Sequence, residues 1–193
     1  MQRARTIQVV GQDPSLRNWG IAIGTYELET GTIQIKRLAL TNPSLPTGKQ
    51  VRQNSADLES AFQLYRGALA AAEGAHAVFV EVPVGSQSAR AMASYGICVG
   101  VLGALRARGT PFFEVTPTEV KLAGFGKKTA TKTEMIQWAM SKHPDAGWPT
   151  YKEHGQELVS EAKAEHMADA VAAIHAGVAS NAFQQMLAVV AAH

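Results

Sequence analysis

The chain has 193 residues, of which 46% are apolar and 18% charged, so it can bury one ordinary core and is too apolar to be disordered. Its single cysteine, Cys98, excludes an internal disulfide framework and a multi-cysteine zinc knuckle, and fits a reducing cytosol. A net charge of +2 and a pI near 8.7 do not by themselves indicate nucleic acid, but the charge is segregated. Lys121, Lys127, Lys128 and Lys132 share one acid-free stretch, whereas Glu153 to Glu165 leans acidic, a pattern that permits a phosphate-binding face. The longest apolar run, Tyr95–Leu105, is far short of the ~20 residues a membrane span needs. Met1–Arg5 is basic, but a β-rich segment with Gln8 and Gln12 follows where a signal peptide would carry its apolar core. The expectation is one soluble cytoplasmic domain over 1–193, with no membrane partner.

Three strand-like segments come first: Thr6–Gln12, Trp19–Tyr26 and Thr32–Leu40, linked tightly enough for an antiparallel meander. Thr41–Lys49, rich in proline and glycine, reads as a loop. A helix is expected over Ser55–Glu73, with Ser55 or Asp57 near its N-cap and Gly74 ending it. Ala77–Val80 is wholly apolar, as in a central strand buried on both faces, and ends in Glu81. A long helix over Ser88–Arg108 follows, then a strand at Pro111–Val115. Thr116–Glu119 has the pattern of a capping box, and a glycine-lysine loop, Gly124–Thr129, precedes a helix at Thr131–Lys142. His143–Pro149 is rich in breakers, and a helical region is expected from Glu157 to Ala192, broken near Gly177. The order β-β-β-α-β-α-β-α-α predicts an α/β fold, a mixed five-stranded sheet with helices on both faces, and resembles the ribonuclease H-like fold.

Three acids occupy telling positions. Asp13 follows the first strand, Glu81 closes the buried fourth strand, and Asp169 lies in an apolar helix between Met167 and Val171. Singly, each reads as a solvated turn, cap or helix-surface residue. Together, if the first and fourth strands are parallel neighbours, Asp13 and Glu81 emerge side by side. Clustered carboxylates repel one another and are relieved by divalent cations, and two such cations suit in-line phosphodiester hydrolysis.

The residues Gly11-Gln12-Asp13-Pro14-Ser15-Leu16, with Gly20 beyond, resemble the opening motif of RuvC-type Holliday-junction resolvases. Glu81 after Val78-Phe79-Val80 resembles their second acid. Thr116-Pro117 through Lys121, the glycine-basic loop and Lys132 follow in the same order, and His166-Met167-Ala168-Asp169-Ala170 resembles their closing acidic helix. The similarity covers nearly the whole chain except the Thr41–Gln53 loop and a longer segment at Pro144–Ala162. The resemblance implies a homodimeric endonuclease, dependent on two Mg²⁺ or Mn²⁺ per site, that makes paired nicks in four-way DNA junctions. It implies metal ligation by Asp13, Glu81, His166 and Asp169, with Lys121 and Lys132 near the scissile phosphate and Lys127 and Lys128 on DNA backbone further away. It also implies dimerisation through the helix 88–108, whose Gly96, Gly100 and Gly103 either admit a second helix or pack on their own sheet.

Three departures matter. Ser15 replaces a usual glycine, so the turn after Asp13 must avoid a glycine-only conformation. Val84 stands where many members carry a base-stacking aromatic, which either weakens base stacking or moves that role to Tyr95, Tyr151 or Trp148. His166 replaces a usual aspartate; it could bind metal or take a proton, and one negative charge fewer leans the site toward Mn²⁺. Glu165 is its rival, since both 165 and 166 share a helix face with Asp169. Bacterial and bacteriophage origin both stay open, the histidine and the long 144–162 segment leaning toward a bacteriophage member, with action in the bacterial cytoplasm or that of a phage-infected host. The acids encode phosphodiester cleavage and not junction shape, so flap and fork DNA remain open as substrates.

Overall fold

The computed structural model describes residues 6–45, 48 and 51–191. The basic start, Pro46, Thr47 and Lys49 of the expected loop, and Ala192 at the end of the expected last helix lie outside the described residues. The main sheet has five strands. Strand β1 (Thr6–Asp13) pairs antiparallel with β2 (Trp19–Glu27), which pairs antiparallel with β3 (Ile33–Thr41). On its other side β1 runs parallel to β4 (Ala77–Glu81), and β4 parallel to β5 (Phe112–Val115). The mixed five-stranded sheet is the one expected.

The apolar alternation of these strands feeds two cores. On one face Val10, Trp19, Ile21, Val78 and Val80 pack against α1 (Gln53–Ala72) and α2 (Ala89–Ala107). On the other, Val9, Ala22 and Phe79 pack against α5 (Glu161–Val178) and Phe183 of α6 (Asn181–Ala191). Helices therefore cover both faces. Burying side chains the size of Phe79 and Phe183 contributes about 2–3 kcal/mol each, and their rings meet edge to face at 5.1 Å. Buried Gln12 ties the layers together: it accepts from Trp19 Nε1 at 3.1 Å and donates to the Ala68 carbonyl at 3.2 Å.

The two helices directly after β5 begin where threonine caps them. Thr116 and Glu119 form a reciprocal capping box at α3 (Pro117–Gly124), and Thr131 and Glu134 form another at α4 (Lys132–Lys142). Helix α2 is capped by Ser88, which accepts from the Ala91 amide.

Two expectations need correction. Helix α1 starts earlier than expected, with Arg52 at the N-cap and no side-chain cap; neither Ser55 nor Asp57 fills that position. Residues 157–159 are not helical. They form β7 (Gln156–Val159), which pairs with β6 (Thr150–Glu153) in an exposed hairpin. Its tip, His154 and Gly155, has positive φ at both residues (48° and 82°), as a two-residue hairpin turn of the primed type requires. The last helical region is broken at Ala179–Ser180, just beyond Gly177. Among the described residues no helix is long and apolar enough to cross a membrane.

Candidate active site

Strand parity creates the site. In β1, Val9 and Gly11 face α5 while Val10 and Gln12 face α1 and α2, so Asp13 continues onto the α5 side. In β4, Phe79 faces α5 while Val78 and Val80 face away, so Glu81 falls on that side too. Gln12 pairs with Val80 in the parallel register, which leaves the two acids on neighbouring strand ends.

Helix α5 lies with its backbone directly on the sheet. A side chain at Gly11 would place its first carbon 1.9 Å from the Ala170 carbonyl oxygen, and one at Gly20 would meet the His166 carbonyl oxygen at 2.0 Å. No residue but glycine fits either contact, and the contacts set the height of Glu165, His166 and Asp169 above Asp13. All five side chains line one cavity of about 270 Å³, with Ser15, Val84, Tyr95 and Pro117 also on its walls. Glu165 and His166 therefore both reach the cavity. The three- and four-residue spacings to Asp169 are satisfied at once, and neither excludes the other.

Within this cavity His166 Nδ1 lies 2.5 Å from Asp13 Oδ2. Burial disfavours the imidazolium, but the hydrogen bond and charge of Asp13, with Glu165 and Asp169 nearby, outweigh it and raise the His166 pKa. The carboxyl groups respond to crowding. Burial and then the charges of Asp13 and Asp169 push Glu81 up to about 8, against the opposing charge of Lys121. Burial, Asp13 and Glu165 push Asp169 up to about 7, against His166 and Lys121.

Among the described residues no three such side chains have their donor atoms already gathered as a cage for an ion. The donor set nevertheless fits hard divalent cations. Four carboxyl groups and an imidazole face one cavity, and two of the carboxyls are held partly protonated by burial and then by mutual repulsion, which a cation would relieve.

The lysines divide. Lys121, half-buried on α3, acts electrostatically on Glu81 and Asp169. Lys132 opens α4 and ion-pairs with Glu165, Nζ to Oε1 at 2.6 Å. Lys127 and Lys128 are exposed in the turn between α3 and α4, where Lys127 sits over the Phe125 ring; none of the four lysines lines the cavity itself, and only Lys121 and Lys132 act on its acids. Gly126 there has φ of 78°, but Gly124 closes α3 against Met135, so its smallness serves packing rather than approach of a phosphate.

Of the aromatics considered for base stacking, Tyr95 is on the cavity wall. Trp148 is half-buried, its Nε1 donating to the His143 carbonyl, and Tyr151 stands on the hairpin. Ser15 is not among the residues with positive φ, so the turn after Asp13 avoids the left-handed region. His143 and His175 pair with each other through Nε2 at 2.9 Å, His76 accepts from the Gln8 amide, and His154 turns the hairpin. His193 lies outside the described residues.

No family model matches the chain, and no curated protein matches it. Solved structures do. Thermus thermophilus RuvC in complex with a Holliday junction substrate aligns at a TM-score of 0.64 and 20% identity, covering 94% of this chain and 96% of that one. A second Thermus thermophilus RuvC structure aligns at 0.62 and 21% identity, over 94% of this chain and 97% of that one. Fowlpox virus resolvase, in complex with Holliday junction DNA, reaches a TM-score of 0.45 at 13% identity, over 94% and 99% of the two chains, too loose an overlap to bear on the fold. The chain thus has the fold of RuvC, a ribonuclease H-like sheet with helices on both faces, along nearly its whole length.

Proposed function

We propose that this protein is a divalent-metal-dependent endonuclease that resolves four-way DNA junctions by paired nicks. One observation carries the reading: Asp13, Glu81, His166 and Asp169 line one cavity at the strand ends of a RuvC-like sheet. The ordered sequence motifs support the same family, and so does the Thermus RuvC fold, which has been solved with a Holliday junction substrate.

Asp13, Glu81, Asp169 and His166 would hold Mg²⁺ or Mn²⁺. Bound there, a pair of such cations supplies activation of water and neutralisation of the leaving oxygen. The chain's own groups do the rest. Asp13 accepts from His166 Nδ1, which orients the imidazole and leaves Nε2 to bind the metal or take a proton from the attacking water. Lys121, close enough to act on two of the acids, offers fixed positive charge where negative charge develops on the phosphate. Tyr95, on the cavity wall near exposed Val84, offers a ring for a base.

The same reading calls for two copies of the chain, since paired nicks need two centres. Helix α2 turns Cys98, Val101, Leu102 and Leu105 inward and leaves Gly96, Gly100 and Gly103 exposed, with open space where their side chains would be. These glycines do not pack on their own sheet. With Leu58 and Ala61 of α1 and Ile97 and Ala104 of α2, Gly100 lines an apolar groove of about 620 Å³. That surface suits a second copy, and it lies on the sheet face opposite α5.

The test is a panel of labelled substrates (four-way junction, flap, fork and duplex) incubated with the protein in Mg²⁺ or Mn²⁺. Paired, symmetric nicks in the four-way junction are expected. Preferential cutting of flap or fork would replace the junction by another branched DNA, and binding without any cut would make the protein a junction-binding module.

A further inference from the structure

We infer that Glu165 is a positioning residue that holds the Lys132 ammonium at the rim of the catalytic cavity, and is not a ligand of the metal. The inference rests on the nuclease reading and deepens it.

Glu165 lines the cavity beside His166, yet its Oε1 is 2.6 Å from Lys132 Nζ. The two partners are unequal in exposure. The Lys132 side chain is 76% exposed and that of Glu165 only 22%. An ion pair open to water to this degree adds little to stability. Its consequence is geometric, because a free lysine at a helix start would sweep solvent on four rotatable bonds. Glu165 restricts that sweep to the cavity edge, where the ammonium is also within electrostatic reach of Asp169 and Asp13.

The backbone on both sides of the pair is held. Thr131, the residue before Lys132, caps α4 together with Glu134, so the stem of the lysine starts from a fixed place. On α5, buried Ala164 and Ala168 bracket Glu165, and Gly20 seats the next residue against β2. A rigid carboxylate thus carries a mobile cation to a set position, and positioning of this kind contributes to rate where charge develops late. Asp13 is likewise bonded to His166, so the two ion pairs sort the cavity's groups. Asp13 serves the imidazole, Glu165 serves the lysine, and Glu81 and Asp169 have no such partner among the described residues.

Glu165→Ala, Glu165→Gln, Lys132→Met and the Ala/Met double variant would be compared in single-turnover junction cleavage with saturating protein, and by calorimetric titration of Mn²⁺ in the absence of DNA. Glu165→Ala should cut about tenfold more slowly, Glu165→Gln less so because its amide oxygen still accepts from the ammonium, and the double variant no more slowly than Lys132→Met alone. Mn²⁺ affinity should be unchanged by Glu165→Ala. Weakened Mn²⁺ binding, or a further loss of rate from Glu165→Ala in the Lys132→Met background, overturns the inference by making Glu165 a ligand. An unchanged rate for Glu165→Ala overturns it by making the pair a surface contact only. Wild-type protein serves as the control that separates the two levels. If it cuts no branched DNA the nuclease reading falls and the inference with it, whereas normal wild-type cleavage with independent variants removes the inference alone.

Discussion

Asp13 Oδ2 and His166 Nδ1 lie 2.5 Å apart although 153 residues separate them in the chain. The pair joins the end of the first strand to the first half of α5, and the rest of the cavity is arranged around it. His166→Ala should lower the cleavage rate at least about a hundredfold, as loss of a general base or ligand does. His166→Asp should recover part of that loss and move the preference from Mn²⁺ toward Mg²⁺. Rates in the two metals check both statements, and a harmless His166→Ala would remove the imidazole from the chemistry.

The pH dependence of stability should report the crowding of the acids. Burial, Asp13 and Asp169 hold Glu81 at about 8, above its ordinary 4.5. The folded protein therefore binds a proton that the unfolded chain has released. This contribution is fully present below pH 4.5 and is lost as pH rises through about 8, with an extent on the order of 3–5 kcal/mol. Metal-free protein should show a Tm that falls from pH 5 to pH 8, less steeply in Glu81→Gln. Mg²⁺ at pH 8 should restore more Tm in the wild type than in the variant. Parallel curves for the two proteins would show that neither burial nor its neighbours hold Glu81 above its ordinary range.

Much of this arrangement was legible in the chain before folding. The acid at the end of the apolar run Ala77–Val80 was visible because a strand buried on both faces cannot keep a carboxylate except at its end. Both capping boxes were visible because Thr116–Glu119 and Thr131–Glu134 carry the two bonding partners three residues apart. The hairpin at Thr150–Val159 was not, because its strands are four residues each, mostly polar and exposed, with no alternation to read. Nor was the choice between Glu165 and His166 decidable from spacing, since both share a face with Asp169. Gly20 belongs to a motif in the sequence, but its physical reason, a carbonyl of α5 at 2.0 Å, depends on a contact across 146 positions of sequence between residues 20 and 166.

That contact yields a prediction of its own. Gly20→Ala has no flexible neighbour to displace, since the obstacle is the His166 backbone. Helix α5 must lift from β2, at a cost of about 1–3 kcal/mol or more. Cleavage should fall further than stability explains, because His166 moves with the helix. Chemical denaturation and single-turnover rates on the same variant measure the two effects; wild-type values for both would mean that α5 does not rest on Gly20.

The four lysines should separate by place. Lys121→Ala and Lys132→Ala should lower the single-turnover rate at saturating protein with modest loss of affinity. Alanine at Lys127 and Lys128 together, which unlike Lys121 and Lys132 act on none of the cavity's acids, should leave that rate nearly intact. It should weaken junction binding and flatten its salt dependence by about one to two ion equivalents. Salt titrations of affinity beside the saturated rates decide between these roles. Small, equal affinity losses at all four positions, with rates untouched, would reduce them to one solvated basic face.

The most direct test uses Asp169, half-buried in the cavity with Asp13 and, among the described residues, in no ion pair. Asp169→Asn keeps the shape of the side chain and removes its charge. Junction affinity would be measured in Ca²⁺, and cleavage of the same labelled four-way junction in Mg²⁺ and Mn²⁺, for wild type and variant. Wild-type affinity with cleavage abolished in both metals is the expected result. Cleavage by Asp169→Asn at the wild-type rate would contradict it and place the catalytic centre elsewhere.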